Sequence, residues 1–223
     1  MATTEQSKDV VITDFRDEYA NQLDSMFNEA FQLHQMVPAG KFLDDLIQVN
    51  VLTVLSSATW IRVAVREGRA VGIIAAKVAN QKRHAGAQKF QSALARTAVR
   101  FLGRALVRPQ ILRQVIGSAS AQSKVNKKAK ANGHSLDNEL LIFAVDESIR
   151  GTGVGGRLYS EFLAHLREVG ASEYHLQTNT LCTYEFYDYK GLERAAENSF
   201  TLKNGTQATL VTGFVYVGKI PEQ

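Results

Sequence analysis

Between Arg150 and Gly156 the chain reads Arg-Gly-Thr-Gly-Val-Gly-Gly, directly after an apolar run, Glu139 to Val145, and directly before a stretch with helical periodicity. Glycines at such a junction let main-chain N–H groups converge on one spot without Cβ obstruction, and the start of the helix adds partial positive charge. The natural guest is a diphosphate. No Gly-Lys-Ser/Thr follows, so the P-loop pattern fails. Gly151, Gly153 and Gly156 satisfy the dinucleotide fingerprint, but that pattern also asks for an acidic residue near the end of the next strand. There the chain reads Leu176-Gln177-Thr178-Asn179. A third pattern, Arg/Gln-x-x-Gly-x-Gly/Ala, is met by Arg150, Gly153 and Gly155.

Other reactive side chains are few. Cys182 is the single cysteine, which excludes an internal disulfide and a cysteine-built zinc site, and it reads as a small apolar filler. The five histidines show no metal-ligand spacing, and no metal is implied. Tyr187 stands beside Tyr184 and Phe186 in an aromatic segment, where packing on the core competes with any chemical role. Asn179 precedes a short helical stretch that it could cap.

The frame for these groups follows from periodicity. Val10 to Phe15 reads as a strand, followed by a helical stripe at Tyr19, Leu23, Met26, Phe27, Ala30 and Phe31, with Pro38 and Gly40 as breakers. A second helix covers Phe42 to Leu55. Trp60 to Arg66 and Ala70 to Ala79 form a hairpin across Glu67-Gly68-Arg69. Lys82 to Arg108 is helical and basic, Pro109 interrupts it, and Gly117 to His134 reads as a loop or mobile tether. Glu139 to Val145 is a buried strand, and Val154, Leu158, Phe162, Leu166 and Val169 mark a helix closed by Gly170. Tyr174 to Thr178 is a strand and Leu181 to Tyr189 a short aromatic helix. Glu193 to Thr201 and Ala208 to Val217 form a hairpin across Asn204-Gly205.

With 223 residues, 45% hydrophobic and 22% charged, the chain is long and apolar enough for a sizeable core, which excludes global disorder and fibrous repeats. No apolar run approaches the roughly 18 residues of a membrane helix. Met1 to Val10 carries Glu5, Lys8 and Asp9 and lacks the apolar stretch of a signal peptide, so the expected location is the cytoplasm.

At Arg150 to Gly156 the chain resembles the GNAT superfamily of N-acetyltransferases, and Phe186-Tyr187-Asp188-Tyr189-Lys190-Gly191-Leu192 resembles that family's late Phe-Tyr-x-x-x-Gly-Phe signature, with Leu192 in place of the last Phe. The order of elements fits as well. The resemblance implies an α/β (α+β mixed) fold with a central, mostly antiparallel twisted sheet flanked by helices. It implies one domain over residues 1–223, with 81–136 a basic helical insertion between strands 3 and 4. It implies acetyl-CoA as cosubstrate, its diphosphate on Arg150, Gly151, Thr152, Gly153, Val154, Gly155 and Gly156. Its pantetheine then pairs with Phe143, Ala144 and Val145, where a main-chain N–H polarises the thioester carbonyl. The acceptor is a primary amine of a small molecule or peptide, attacking directly in a ternary complex. Tyr187 falls at the position of the general acid, and a phenol of pKa about 10 suits donation to a thiolate of about 8 to 9. Glu139 is the candidate base, with a solvated strand end as the competing reading, and Asn179 a candidate pantetheine ligand.

Between Gln81 and Leu136 stand twelve Lys and Arg and no acid, leaving 14 basic against 22 acidic residues, or −8, elsewhere. Arg96, Arg100, Arg104 and Arg108 recur every fourth residue, a basic stripe on one helix face. Three readings follow: a cover packed on the acidic body, a lid over the acceptor pocket, or a contact with nucleic acid or an anionic membrane surface. Phe90 and Phe101 are too few to favour base stacking. The C-terminal hairpin, ending near Val215 to Val217, offers an edge for a homodimer.

Overall fold

The computed structural model describes residues 9–204 and 207–220. The N-terminal residues 1–8 and the Gly205 half of the expected Asn204-Gly205 turn lie outside them. In chain order the elements are β1 (Val11–Asp14), α1 (Asp24–Phe31), α2 (Lys41–Ser57), β2 (Trp60–Arg66), β3 (Arg69–Lys77), α3 (Ala87–Leu106) and α4 (Pro109–Ala131). There follow β4 (Glu139–Val145), α5 (Val154–Glu168), β5 (Glu173–Asn179), α6 (Glu185–Tyr189), β6 (Glu193–Asn204) and β7 (Gln207–Lys219). The strands form one sheet in the order β1-β2-β3-β4-β5-β7-β6, in which only β4 and β5 run parallel. The expected mostly antiparallel sheet, with a helical insertion between the third and fourth strands, is the one observed. No helix among the described residues is long and apolar enough to cross a membrane.

Each face of the sheet buries its own core. On one, Val63, Ile73, Ile142 and Ala144 meet α1, α2 and α3 through Phe27, Leu46 and Phe101. On the other, Ile74, Leu140, Leu176, Phe214 and Tyr216 meet α5 through Val154, Leu158 and Phe162.

The insertion corrects one expectation. Residues 109–131 form α4 where a loop or tether was expected over Gly117 to His134. Ser and Gly are modest helix formers, but Ala, Gln and Lys are good ones, and Pro109 sits at the first turn, where it is tolerated. Packing decides the outcome: Val125 and Ala129, one turn apart, are buried against Ala195, Ala196, Val215 and Val217. The helix ends where Gly133 takes φ +91° and Asn132 Nδ2 donates to the Ala195 carbonyl at 2.8 Å.

The basic stripe packs inward as well as outward. Asp45 of α2 is 4% exposed. One of its carboxylate oxygens accepts from Arg100 Nε at 2.8 Å and the other from Arg104 Nη1. The Arg108 guanidinium lies 5.2 Å from the Phe42 ring centre. The C-terminal hairpin ends the sheet: β7, with Val215 to Val217, is interior, and β6 forms the edge.

Candidate active site

β4 and β5 are each seven residues long, yet they pair only at Glu139↔His175 and Leu140↔Leu176. The cause is visible on the other edge of β4. Against β3 the register slips between Ala75 and Ala76, leaving Leu141 as an extra residue, a β-bulge that bends the strand. The bulge also turns Leu141 and Ile142 to the same core, whereas Leu140 and Phe143 face the other. Beyond it β4 leaves β5, and a cleft of about 480 Å³ opens between them. Met26, Glu29 and Phe31 of α1, Phe186 and Tyr187 of α6, and Gln122 of α4 complete its walls. The β4 edge that would have met β5 is thereby available to a guest with amide groups of its own.

The glycine loop stands where β4 ends. Gly151 and Gly153 take φ +78° and +86°, a left-handed conformation that other residues adopt only under strain. The turn uses two of its amides internally: Arg150 N–H donates to Glu147 O at 3.2 Å and Thr152 N–H to Ile149 O at 3.4 Å. Thr152 Oγ1 donates to the same Ile149 carbonyl at 2.7 Å. The N–H groups of Arg150 and Thr152 are thus engaged within the turn. The N–H groups of Gly151, Gly153, Val154, Gly155 and Gly156 take no partner among the described residues. The last three form the first turn of α5, whose 15 residues point the positive end of their dipole here. Fully buried Val154 anchors that turn, and a Cβ at Gly155 would stand 3.4 Å from the Phe143 ring. The Arg150 side chain donates from Nε to the Val145 carbonyl at 3.3 Å, and its Nη2 lies 3.3 Å from Glu29 Oε2 on α1.

Tyr187 lines the cleft from α6, and burial pushes its phenol well above the ordinary value, with Tyr159 and Cys182 adding to the rise. It therefore holds its proton at neutral pH. Its helix is fixed from two sides. Phe186 packs 5.3 Å from Phe143 and 5.5 Å, edge on, from Tyr159. Asp188 accepts from Tyr216 Oη at 2.7 Å and pairs with Arg194, which holds its carboxyl below the usual range, as does the Tyr216 bond.

Glu139 stands behind the cleft wall. Its Oε1 accepts from Gln177 Nε2 at 3.2 Å and lies 3.9 Å from His175 Nε2. Burial raises its pKa, with Lys77 opposing. His175, buried beside it, donates from Nδ1 to the Asn138 carbonyl at 2.8 Å, and burial lowers its pKa. Gln177 lines the cleft; Glu139 does not. Asn179 lines it as well, but its Oδ1 is engaged by Leu181 N–H at 2.8 Å in the turn after β5. Burial raises the Cys182 thiol, which keeps it protonated and poorly nucleophilic.

Phe143, Ala144, Val145, Arg150 and Tyr187 thus come together around one cleft, with the rest of the loop following Arg150, and with Glu139 one layer away. Glu29, Gln122 and Gln177 were not singled out by the sequence. Glu29 belongs to the helical stretch of α1, but Gln122 fell in the segment read as a loop.

This arrangement of a split sheet, a glycine turn and a helix is the fold of the N-acetyltransferases. A GNAT-family acetyltransferase from Staphylococcus aureus Mu50 is 12% identical, with 95% of this chain and 99% of that one covered at a TM-score of 0.51. An agmatine N-acetyltransferase, in the apo form of its S171A mutant, is 16% identical, with coverage of 93% and 98% and a TM-score of 0.52. The polyamine N-acetyltransferase of Drosophila melanogaster, which catalyses formation of N-acetylagmatine, is 15% identical, with coverage of 95% and 100% and a TM-score of 0.50. At these identities the shared property is the fold. No family model and no curated protein matches the chain.

Proposed function

We propose that the protein is an acetyl-CoA-dependent N-acetyltransferase acting on a primary amine, with the whole chain working as one domain. The observation that carries this reading is the set of N–H groups of Gly151, Gly153, Val154, Gly155 and Gly156, without partners among the described residues and placed at the end of a strand whose edge lies open along a cleft. An array of main-chain donors at a helix start fits a diphosphate, and the β4 edge from Phe143 to Val145 fits the amides of pantetheine. Acetyl-CoA supplies the thioester.

The chain's own groups divide the remaining work. A β4 N–H donates to the thioester carbonyl oxygen and stabilises the charge it gains. Tyr187, on the cleft wall, gives its proton to the departing thiolate, although burial makes it a weaker acid than a free phenol. The ammonium of the acceptor must lose a proton before it can attack. Glu139 takes it, through the polar groups around Gln177, and its raised pKa makes it a better base than an ordinary carboxylate. Asn179 contributes to the pantetheine side through whichever of its polar groups the turn leaves free.

Calorimetry with acetyl-CoA, followed by thiol release with a panel of amines, tests the proposal. Binding heat together with amine-dependent thiol release is expected. Absence of both heat and thermal shift contradicts it.

A second reading is favoured by one feature of the insertion. Around the α3–α4 turn Leu106 is 71% exposed, Val107 80% and Ile116 59%, beside Arg108 and Arg113 and with no acid in the segment. An apolar tip in a cationic surround suits an anionic membrane surface better than a nucleic acid. Co-sedimentation with phosphatidylglycerol vesicles, lost in high salt and in Leu106→Asp, is the expected result. Homodimerisation through the β6 edge is read out by the molecular mass in solution.

A further inference from the structure

The geometry points to α4 as the acceptor-side wall of the cleft and to Gln122 as the residue that selects the acceptor: a primary amine carrying a neutral carbonyl group, rather than a second cationic centre. The inference rests on the acetyltransferase reading above.

Charge comes first. The charged residues in the lining are Glu29 and Arg150, and they lie 3.3 Å from each other. The rest of the described lining is apolar or neutral and polar, including Gln122, Gln177 and Thr178. Glu139 is outside the lining and already accepts from Gln177 at 3.2 Å. A diamine placed here would carry its second ammonium into a partly closed cleft that offers it no free carboxylate among the described residues, an unfavourable desolvation.

Hydrogen bonding comes second. Gln122 lines the cleft, and its Nε2 is shut off from solvent with no partner among the described residues. A buried donor without an acceptor is costly, and such groups in native proteins find a partner in the protein, in water or in a ligand. A carbonyl oxygen on the guest would complete this one. The helix that carries Gln122 is held in place. Just before it Ala121 is buried, and further back Gln114 Nε2 donates to the Met36 carbonyl at 2.5 Å. Just after it Val125 and Ala129 are seated on β6 and β7. A donor on a helix anchored on both sides of it can discriminate between guests, because an analogue lacking the carbonyl leaves it unpaired.

The test is steady-state thiol release from acetyl-CoA with three acceptors of similar length: β-alaninamide, butylamine and putrescine. For the unaltered protein kcat/KM should fall in that order. Gln122→Leu should lower the ratio of β-alaninamide to butylamine about tenfold, the worth of a single hydrogen bond, with the KM for acetyl-CoA unchanged. Gln122→Glu, nearly isosteric, should move the preference toward putrescine and guards against a folding defect in the first variant. An unchanged ratio in Gln122→Leu, or putrescine as the best acceptor of the unaltered protein, overturns the inference and leaves the acetyltransferase reading intact. Acetyl-CoA that binds while none of the three amines releases thiol also overturns the inference. Failure to bind acetyl-CoA overturns the underlying reading instead.

Discussion

The loop after β4, which reaches the cleft at Arg150, and the helix α4, which reaches it at Gln122, offer a guest different means of recognition. The loop presents main-chain N–H groups, whose direction is set by the φ angles of Gly151 and Gly153 and by the start of α5. The helix presents one side-chain amide, whose place depends on contacts far along the chain, with Met36 on one side and with Ala195, Val215 and Val217 on the other. Backbone donors suit a diphosphate whatever else the guest carries; a side chain on an inserted helix can choose among guests. In the proposed enzyme the cosubstrate is therefore held by the shared part of the fold and the acceptor by the added part.

That division can be broken from either side. The largest effect is expected at the loop: Gly153→Val puts a β-branched residue at φ +86° and a side chain among the free N–H groups. The Kd for acetyl-CoA, measured by calorimetry, should rise about a hundredfold or more. Tyr187→Phe removes only the hydroxyl. It should lower kcat by about a hundredfold with the Kd for acetyl-CoA unchanged, as seen in stopped-flow and calorimetry together. Asp45→Ala loosens the insertion from α2. Losing the carboxylate that anchors Arg100 and Arg104 should cost about 1 to 3 kcal/mol in urea unfolding and raise the acceptor KM, leaving the cosubstrate KM as it was.

The smallest effect on stability concerns Glu139. Because its carboxyl binds a proton more tightly in the folded chain than in the unfolded one, stability falls as pH rises from its ordinary 4.5 through the raised native value. Glu139→Gln should flatten that part of the stability profile and raise the melting temperature slightly at neutral pH. In kcat/KM it should remove an acid limb lying above the ordinary carboxylate range.

The parts of this division differ in how far they can be read from residues in order. The loop is legible because its rule is local: strand, glycines and helix follow within 30 residues, and β4 has the bounds expected of it. The bulge at Leu141 is not, since an unbroken apolar run carries no period to reveal a slipped register. Nor is α4. Ala121, Val125 and Ala129 do recur at helical spacing, but the surrounding Ser, Gly and Asn residues mask them until Ala195 and Val215 supply a surface to bury against. Asp45 looks like an ordinary charge in α2 because its partner Arg100 lies 55 residues away. Glu139 was placed correctly at the start of its strand, but its withdrawal behind Gln177 depends on where β4 and β5 part.

Amide proton shifts offer the most direct test of how the cosubstrate is held. With isotopically labelled protein, coenzyme A should move the Gly151, Gly153, Gly155 and Gly156 N–H signals downfield. Pantetheine, which lacks the diphosphate, should leave them in place while shifting signals of Phe143 to Val145. If coenzyme A leaves the glycine signals where they were, the loop does not hold a diphosphate and the account is wrong at its base.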